Sequence, residues 1–412
     1  MADGEDYQGP EAYIDHLKSV VEQGVIMGNL PVVTTNPNLL EEQARKAMNK
    51  KGFEYIRGGA GESASMDANR LAFRQWKIIP RVLKPTTPRD LSVTLFGKKY
   101  RTPVLMAPIG VQGMMHEDKE IGTANACAAL DVPFTMSTAA MTGIEELKEG
   151  SPTGPKWYQL YWPMDEEITA SILKRVKANG FHTLVVTLDT WSMAWRPADL
   201  DGGSVPFIVG EGDQVPFTDP VFRKKFAERT DGEKPEDNPV MAGVYWCSEI
   251  FPGVSRSWED LKILKKYWDG PIVLKGILSV EDAKLAVEHG MDGIIISNHG
   301  GRQLDGAVGT LDVLPDIAAA VGNQITVLID SGIRTGTDIL KALALGAKGV
   351  FLGRPVVYGL GISGTEGAKA VLAGLLADLD CSMGMSGAKT IAELTPSMLV
   401  KTRHTGDVRS NL

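Results

Sequence analysis

A closed parallel (β/α)8 barrel of the TIM type is the α/β fold that this sequence predicts, on three observations. Eight apolar runs of strand length recur from about residue 100 onward, at 104–107, 134–137, 157–161, 184–188, 272–275, 293–297, 326–329 and 349–352. Helical stretches such as 165–178, 279–289 and 337–345 lie between most of them, and alternating strands and helices imply a parallel sheet. Eight such units is the number that closes a barrel. The rival is an open doubly wound sheet, but the glycine-rich dinucleotide turn expected after its first strand is missing.

In chain order, residues 1–99 read as an N-terminal helical extension. Residues 11–30 pattern as an amphipathic helix, with Leu17, Val20, Val21 and Val25 on one side. Helical rhythm continues over 39–53 and ends at Tyr55 and the turn Gly58-Gly59-Ala60-Gly61. A further helix over 65–76 precedes an irregular segment containing Pro80, Pro85 and Pro88. The barrel then occupies 100–400, leaving 401–412 as a C-terminal tail. Two helices open with capping-box spacing, Ser257 with Asp260 and Ser279 with Asp282. One interval breaks the rhythm: roughly 80 residues separate the fourth and fifth runs, where one unit needs about 20 to 30. The insertion at 197–256, at the carboxyl end of a strand, is a candidate lid.

Composition narrows the function. The chain has 412 residues, 43% hydrophobic and 23% charged, with a net charge of −8. That charge argues against a nucleic-acid partner, so an anionic substrate must be held by local cations. Cys127, Cys247 and Cys381 are odd in number and widely spaced, giving neither a disulfide framework nor a metal-ligand pattern. No apolar run reaches the roughly 18 residues of a membrane span. The acidic start Met1-Ala2-Asp3 lacks the form of a signal peptide, so a cytoplasmic protein is expected. Ser410-Asn411-Leu412 is only a loose relative of a peroxisomal address.

The chemistry centres on Gly293–Asp305, where an apolar run ends in Ser297-Asn298-His299-Gly300-Gly301-Arg302-Gln303. An imidazole exchanges a proton near neutral pH, and a guanidinium grips a carboxylate through two parallel hydrogen bonds. The carboxyl ends of the other runs add polar groups to the same rim: Ser137, Gln159 with Tyr161, Thr187 with Asp189 and then Arg196, Lys275, and Asp330. Of six histidines, His182 and His289 fall at helix ends or on the wrong rim, and His16 and His404 lie outside the barrel. His299 and, less well placed, His116 remain. Gly332, Arg334, Gly353 and Arg354 supply bare backbone and cations after the last two strands, where such barrels commonly hold a phosphate. Asp330 would bind a hydroxyl of such a phosphate-bearing ligand or cap the next helix.

Ser297–Gln303, with Asp330-Ser331-Gly332-Ile333-Arg334 and Gly353-Arg354-Pro355, resembles the FMN-dependent 2-hydroxy-acid oxidase and dehydrogenase family, over about residues 31–400. Ala107-Pro108-Ile109-Gly110, Leu188-Asp189-Thr190-Trp191, Trp195-Arg196-Pro197 and the insertion containing Thr218–Phe222 make it more similar to the lactate 2-monooxygenase branch than to the glycolate oxidase branch. The resemblance implies FMN as cofactor, a homotetramer, and a small 2-hydroxy acid and oxygen as reactants. Pro108, Ile109 and Gly110 would run along the flavin, while Ser137, Gln159 and Thr187 would hydrogen-bond its edge. Lys275 would sit beside the ring, Ser297 would hold the ribityl side, and residues 330–334 with Gly353 and Arg354 would hold the phosphate. Tyr55, Tyr161, Arg196, His299 and Arg302 would surround the substrate, with Asp189 paired to His299. Ser331 departs from the family's two glycines after the aspartate, and Ala139 and Ala140 leave substrate size open. The expected reaction is L-lactate to acetate, carbon dioxide and water, with release of pyruvate and hydrogen peroxide as the alternative. A flavin-binding barrel without turnover is the rival from another class.

Overall fold

The computed structural model describes residues 12–203 and 205–402. Eight parallel strands close into a barrel: β1 Val104–Met106, β2 Phe134–Ser137, β3 Lys156–Leu160, β4 Thr183–Thr187, β5 Ile272–Ile277, β6 Gly293–Ile296, β7 Thr326–Ile329 and β8 Gly349–Leu352. Each pairs with its neighbours in order, and β8 returns to β1 through Val350 opposite Val104. All eight runs found in the sequence are barrel strands. Buried on both faces, they read as continuous apolar segments without alternation.

Inside the barrel the alternation reappears. Leu105, Trp157, Val185, Val273, Ile295, Leu328 and Phe351 form one buried apolar cluster. A β-hairpin of Val93–Leu95 and Lys98–Tyr100 packs Leu95 and Tyr100 into that cluster, and the Trp157 indole donates to the Tyr100 hydroxyl at 3.2 Å. Side chains two residues apart on a strand share a face. The next inward positions are therefore Ala107, Gln159, Thr187, Lys275, Ser297, Asp330 and Gly353. An apolar plug thus carries a polar layer at the carboxyl ends of the strands.

Outer helices begin where short polar side chains cap them. Asp165 accepts from the backbone of Glu167 and Ile168, Ser279 accepts from Asp282, and Ser257 forms the box with Asp260. The segment expected as one helix over 11–30 is shorter, Asp15–Val25, with Leu17, Val21 and Val25 exposed. The rhythm over 39–53 is divided into Leu40–Ala47 and Lys50–Arg57, because Asn49 takes extended backbone and caps the second helix through Gly52 N. The extension also contains strands: the hairpin above, and Trp76–Ile78 paired antiparallel with Leu399–Lys401. Of the tail expected over 401–412, Lys401 ends that strand, and residues 403–412, including His404 and Ser410–Leu412, lie outside the described residues, as do Met1–Asp3.

The insertion after β4 is folded. Helices Pro197–Asp201, Pro220–Arg229 and Pro239–Ile250 are its longer helical elements, with the short helical turns Pro206–Val209 and Gln214–Phe217 between the first two. Each of the three helices carries proline in its first turn, where the missing N–H costs nothing. Phe222 stacks on Tyr245 at 5.0 Å and meets Trp246 edge-on at 5.7 Å. The buried Asp219 carboxylate caps one of these helices and accepts from Ser171 and Arg175 of the barrel's outer ring. No helix among the described residues is long and apolar enough to cross a membrane.

Candidate active site

A cleft of about 1030 Å³, partly open to solvent, lies at the carboxyl ends of the strands. Its wall gathers residues from distant parts of the chain: Tyr55 from the extension, Pro108–Gly110 after β1, Tyr161 after β3, Arg196 after β4, and Lys275 on β5. His299, Gly300 and Arg302 follow β6, Asp330–Arg334 follow β7, and Gly353 and Arg354 follow β8.

His299, Gly300 and Gly301 are consecutive left-handed residues with φ of 59°, 67° and 76°. That conformation is uncommon for a residue with a Cβ. The Ser297 hydroxyl accepts from His299 N at 3.1 Å and steadies the turn. The ring is aimed back across the cleft. Its Nδ1 lies 2.9 Å from Asp189 Oδ1, and the Thr190 hydroxyl donates to the same oxygen at 2.7 Å. A carboxylate only accepts, so Nδ1 carries the proton and Nε2 keeps its lone pair. Nε2 faces the Tyr161 hydroxyl at 3.5 Å.

The electrostatics hold the pair as neutral imidazole and carboxylate. Burial, aided by the Lys275 charge, lowers His299 below its ordinary 6.5 against the opposing pull of Asp189. Burial opposes ionisation of Asp189, but attraction to His299 whenever that ring is protonated, the Lys275 charge and hydrogen bonds from His299 and Thr190 outweigh it, placing the carboxyl below the usual carboxylate range. The Tyr161 hydroxyl is raised by burial and stays protonated at neutral pH.

Two guanidiniums flank this pair. Arg302 is buried, donates to the carbonyls of Tyr55 and Gly58, and lies 4.9 Å over the Tyr55 ring. Arg196 donates to the Arg302 carbonyl at 2.9 Å and lies 3.8 Å from Asp199. Lys275 Nζ is 3.6 Å from Asp330 Oδ2, and the Ser331 hydroxyl donates to the other Asp330 oxygen. Asp330 therefore does not cap the following helix; Thr335 does.

At the far end, Arg354 donates to the carbonyls of Ile56, Gly58 and Gly300. Desolvation in the cleft pushes it down to about 9 against the pull of the Tyr358 hydroxyl, and the nearby Arg302 and Arg334 charges add to the effect. The Arg334 guanidinium donates to its own Ile333 carbonyl and is likewise lowered by desolvation. Gly332 has φ +86°, and a Cβ there would stand 2.8 Å from that of Asn69.

Ser137, Gln159, Thr187 and Ser297 do not line the cleft wall. Ser137 donates to Gln159 Oε1, and Gln159 Nε2 donates to Thr187, forming a buried polar chain across β2, β3 and β4. His116 is not part of the cleft; its ring accepts from Asp118 N. Sequence reasoning missed Thr190, Met193, Phe207, Phe251 and the role of Gln303. Thr190 could have been found as the hydroxyl next to Asp189. Phe207 and Phe251 come from the insertion and carry no local signal. Among the described residues no group of three or more His, Cys, Asp or Glu could hold a metal ion.

The family model for FMN-dependent dehydrogenases matches residues 44–401. An FMN-dependent alpha-hydroxy acid dehydrogenase of Penicillium citrinum is 49% identical over 403 residues, covering 98% of this chain and 100% of that protein. An L-lactate oxidase of Lysinibacillus sphaericus is 40% identical, covering 88% and 92%. A solved mandelate oxidase variant with (S)-mandelic acid superposes with a TM-score of 0.77 at 32% identity, covering 90% and 100%. The chain therefore belongs to the FMN-dependent dehydrogenase family and is an FMN-dependent alpha-hydroxy acid oxidoreductase.

Proposed function

We propose that the chain oxidises a small L-2-hydroxy acid with oxygen as electron acceptor, and that L-lactate is a substrate. The observation that carries this reading is the neutral His299, locked by Asp189 with Nε2 facing the cleft beside two guanidiniums.

The residues fit FMN. Arg334 and Arg354 bring two cations to one end of the cleft, and their hydrogen bonds given above go to carbonyl groups. Uncompensated cations in such a setting are costly until an anion joins them, and a phosphate suits guanidinium geometry. These two residues, with Ser331–Ile333 and Gly353, would hold the phosphate. Pro108–Gly110 and Lys275 would lie along the ring, and the Ser137–Gln159–Thr187 chain would support it from below. FMN held there would supply a two-electron acceptor for the substrate that oxygen can reoxidise.

The chain's own residues do the rest. Arg196 and Arg302 bind the substrate carboxylate and orient the carbon bearing the hydroxyl. Tyr161, as a protonated hydroxyl, donates to the substrate oxygen. His299 Nε2 takes the substrate proton, and Asp189 stabilises the imidazolium that forms.

Two outcomes follow from one oxidation. Release of the keto acid first gives pyruvate and hydrogen peroxide. Retention of both lets peroxide decarboxylate the keto acid to acetate, carbon dioxide and water. What supports the second is that the folded insertion contributes Phe207 and Phe251 to the cleft wall, their rings 5.8 Å apart. The test supplies L-lactate in air and counts pyruvate, peroxide, acetate and carbon dioxide per oxygen consumed. Acetate with little peroxide supports retention. Equal pyruvate and peroxide supports release, and no oxygen uptake with any 2-hydroxy acid refutes the whole reading. We further propose a homotetramer, for which the exposed apolar residues Leu17, Val21, Val25, Leu30 and Val32 of the extension offer contact surface. Light scattering on the purified protein tests the assembly.

A further inference from the structure

Gln303 follows Arg302 on the turn after β6 and makes three contacts with the loop after β4. Its Nε2 donates to the carbonyls of Asp189 at 2.8 Å and Ser192 at 3.2 Å. Its Oε1 accepts from Arg196 Nη2 at 2.5 Å. The amide cannot sit the other way round: carbonyls only accept and a guanidinium only donates, so all three contacts fix its orientation. Arg196 Nε meanwhile donates to the Arg302 carbonyl. One side chain therefore ties a cation of the cleft to the backbone of the residue that orients His299.

We infer that Gln303 is a positioning residue that couples capture of the substrate carboxylate to alignment of the base. This rests on the assignment of Arg196 and the His299–Asp189 pair proposed above. Gln303 does not line the cleft wall. It sets where the Arg196 fork points and where the loop bearing Asp189 ends, so that carboxylate and proton are registered against each other. A misplacement of about 1 Å at such a site costs on the order of a hundredfold in rate.

Two variants separate this role from general support of the loop. Gln303→Leu removes all three contacts. Gln303→Glu keeps an acceptor for Arg196 but turns an oxygen toward the Asp189 and Ser192 carbonyls, and its charge competes with the substrate carboxylate for Arg196. The readouts are FMN content, thermal midpoint, KM and kcat for L-lactate, and binding of oxalate followed by the flavin spectrum. Oxalate presents carboxylates without a transferable proton, so it reports on the cations alone. Both variants should keep FMN and fold. Gln303→Leu should weaken oxalate and raise KM by about tenfold, the loss expected for a hydrogen bond to a charged group, with kcat also reduced. Gln303→Glu should weaken oxalate further than Gln303→Leu. Wild-type oxalate affinity and KM in both variants overturn the inference, as does loss confined to FMN content and thermal midpoint. If the wild-type protein itself is not reduced by any 2-hydroxy acid, the underlying reading fails instead.

Discussion

Asp189→Asn removes one charge from the centre of the proposed chemistry with little change in shape. The carboxylate lies 2.9 Å from His299 Nδ1, so its charge stabilises the imidazolium formed when His299 accepts a proton. Two unit charges about 4 Å apart attract by about 4 kcal/mol at an effective dielectric of 20. Each 1.36 kcal/mol on the barrier is about tenfold in rate, so the loss is roughly a thousandfold. An asparagine amide can also donate toward Nδ1, which favours the wrong tautomer and blocks Nε2 as an acceptor. The assay is anaerobic reduction of bound FMN by L-lactate, followed by bleaching in a stopped-flow instrument. Its pH dependence gives a second readout. In the wild-type chain burial and Lys275 lower His299 while Asp189 raises it. The neutral base is present above its pKa, so the acid limb of kcat/KM lies below 6.5 and moves lower still in the variant. Bleaching within about threefold of wild type would refute this pairing, since general-base catalysis contributes about a hundredfold or more.

Gly276 has φ +109°, and an added Cβ would lie 3.1 Å from Asp189 Cβ and 3.2 Å from its Cγ. Gly276→Ala should lower stability by about 1–3 kcal/mol through backbone strain and slow flavin reduction by moving Asp189; thermal denaturation and bleaching rates check both. Arg354→Met should weaken FMN retention by about tenfold or more, because a charge-assisted contact is lost, and dialysis followed by flavin fluorescence measures it. Arg302→Lys should raise KM for L-lactate by about tenfold or more, because one ammonium cannot reproduce the guanidinium fork; unchanged saturation kinetics would remove Arg302 from the substrate site.

The barrel was legible because its strands are short β-branched runs buried on both sides, as at Gly293–Ile296 and Thr326–Ile329. The rim was legible for a related reason. Most inward positions two residues past the apolar plug are polar, so Lys275 and Asp330 announce a site where Val273 and Leu328 announce a core. Other features depend on distance in the chain. Nothing local to Phe207 or Phe251 says that the insertion folds over the cleft, because that placement rests on packing among Phe222, Tyr245 and Trp246. Asn49 divided a helix that periodicity alone carried straight through. Ser137, Gln159 and Thr187 were read as separate groups at the cleft, whereas their polar atoms satisfy one another beneath it. A hydrogen-bond chain across three strands needs the barrel to be closed before it can be seen.

The most direct test of the central claim is the rate of anaerobic flavin reduction by L-lactate in His299→Gln. The side chain keeps polar atoms but cannot accept a proton at neutral pH. The account predicts a variant that retains FMN with a wild-type spectrum and bleaches more slowly by about a hundredfold or more. Bleaching at the wild-type rate would contradict it and require another group in the cleft to take the proton.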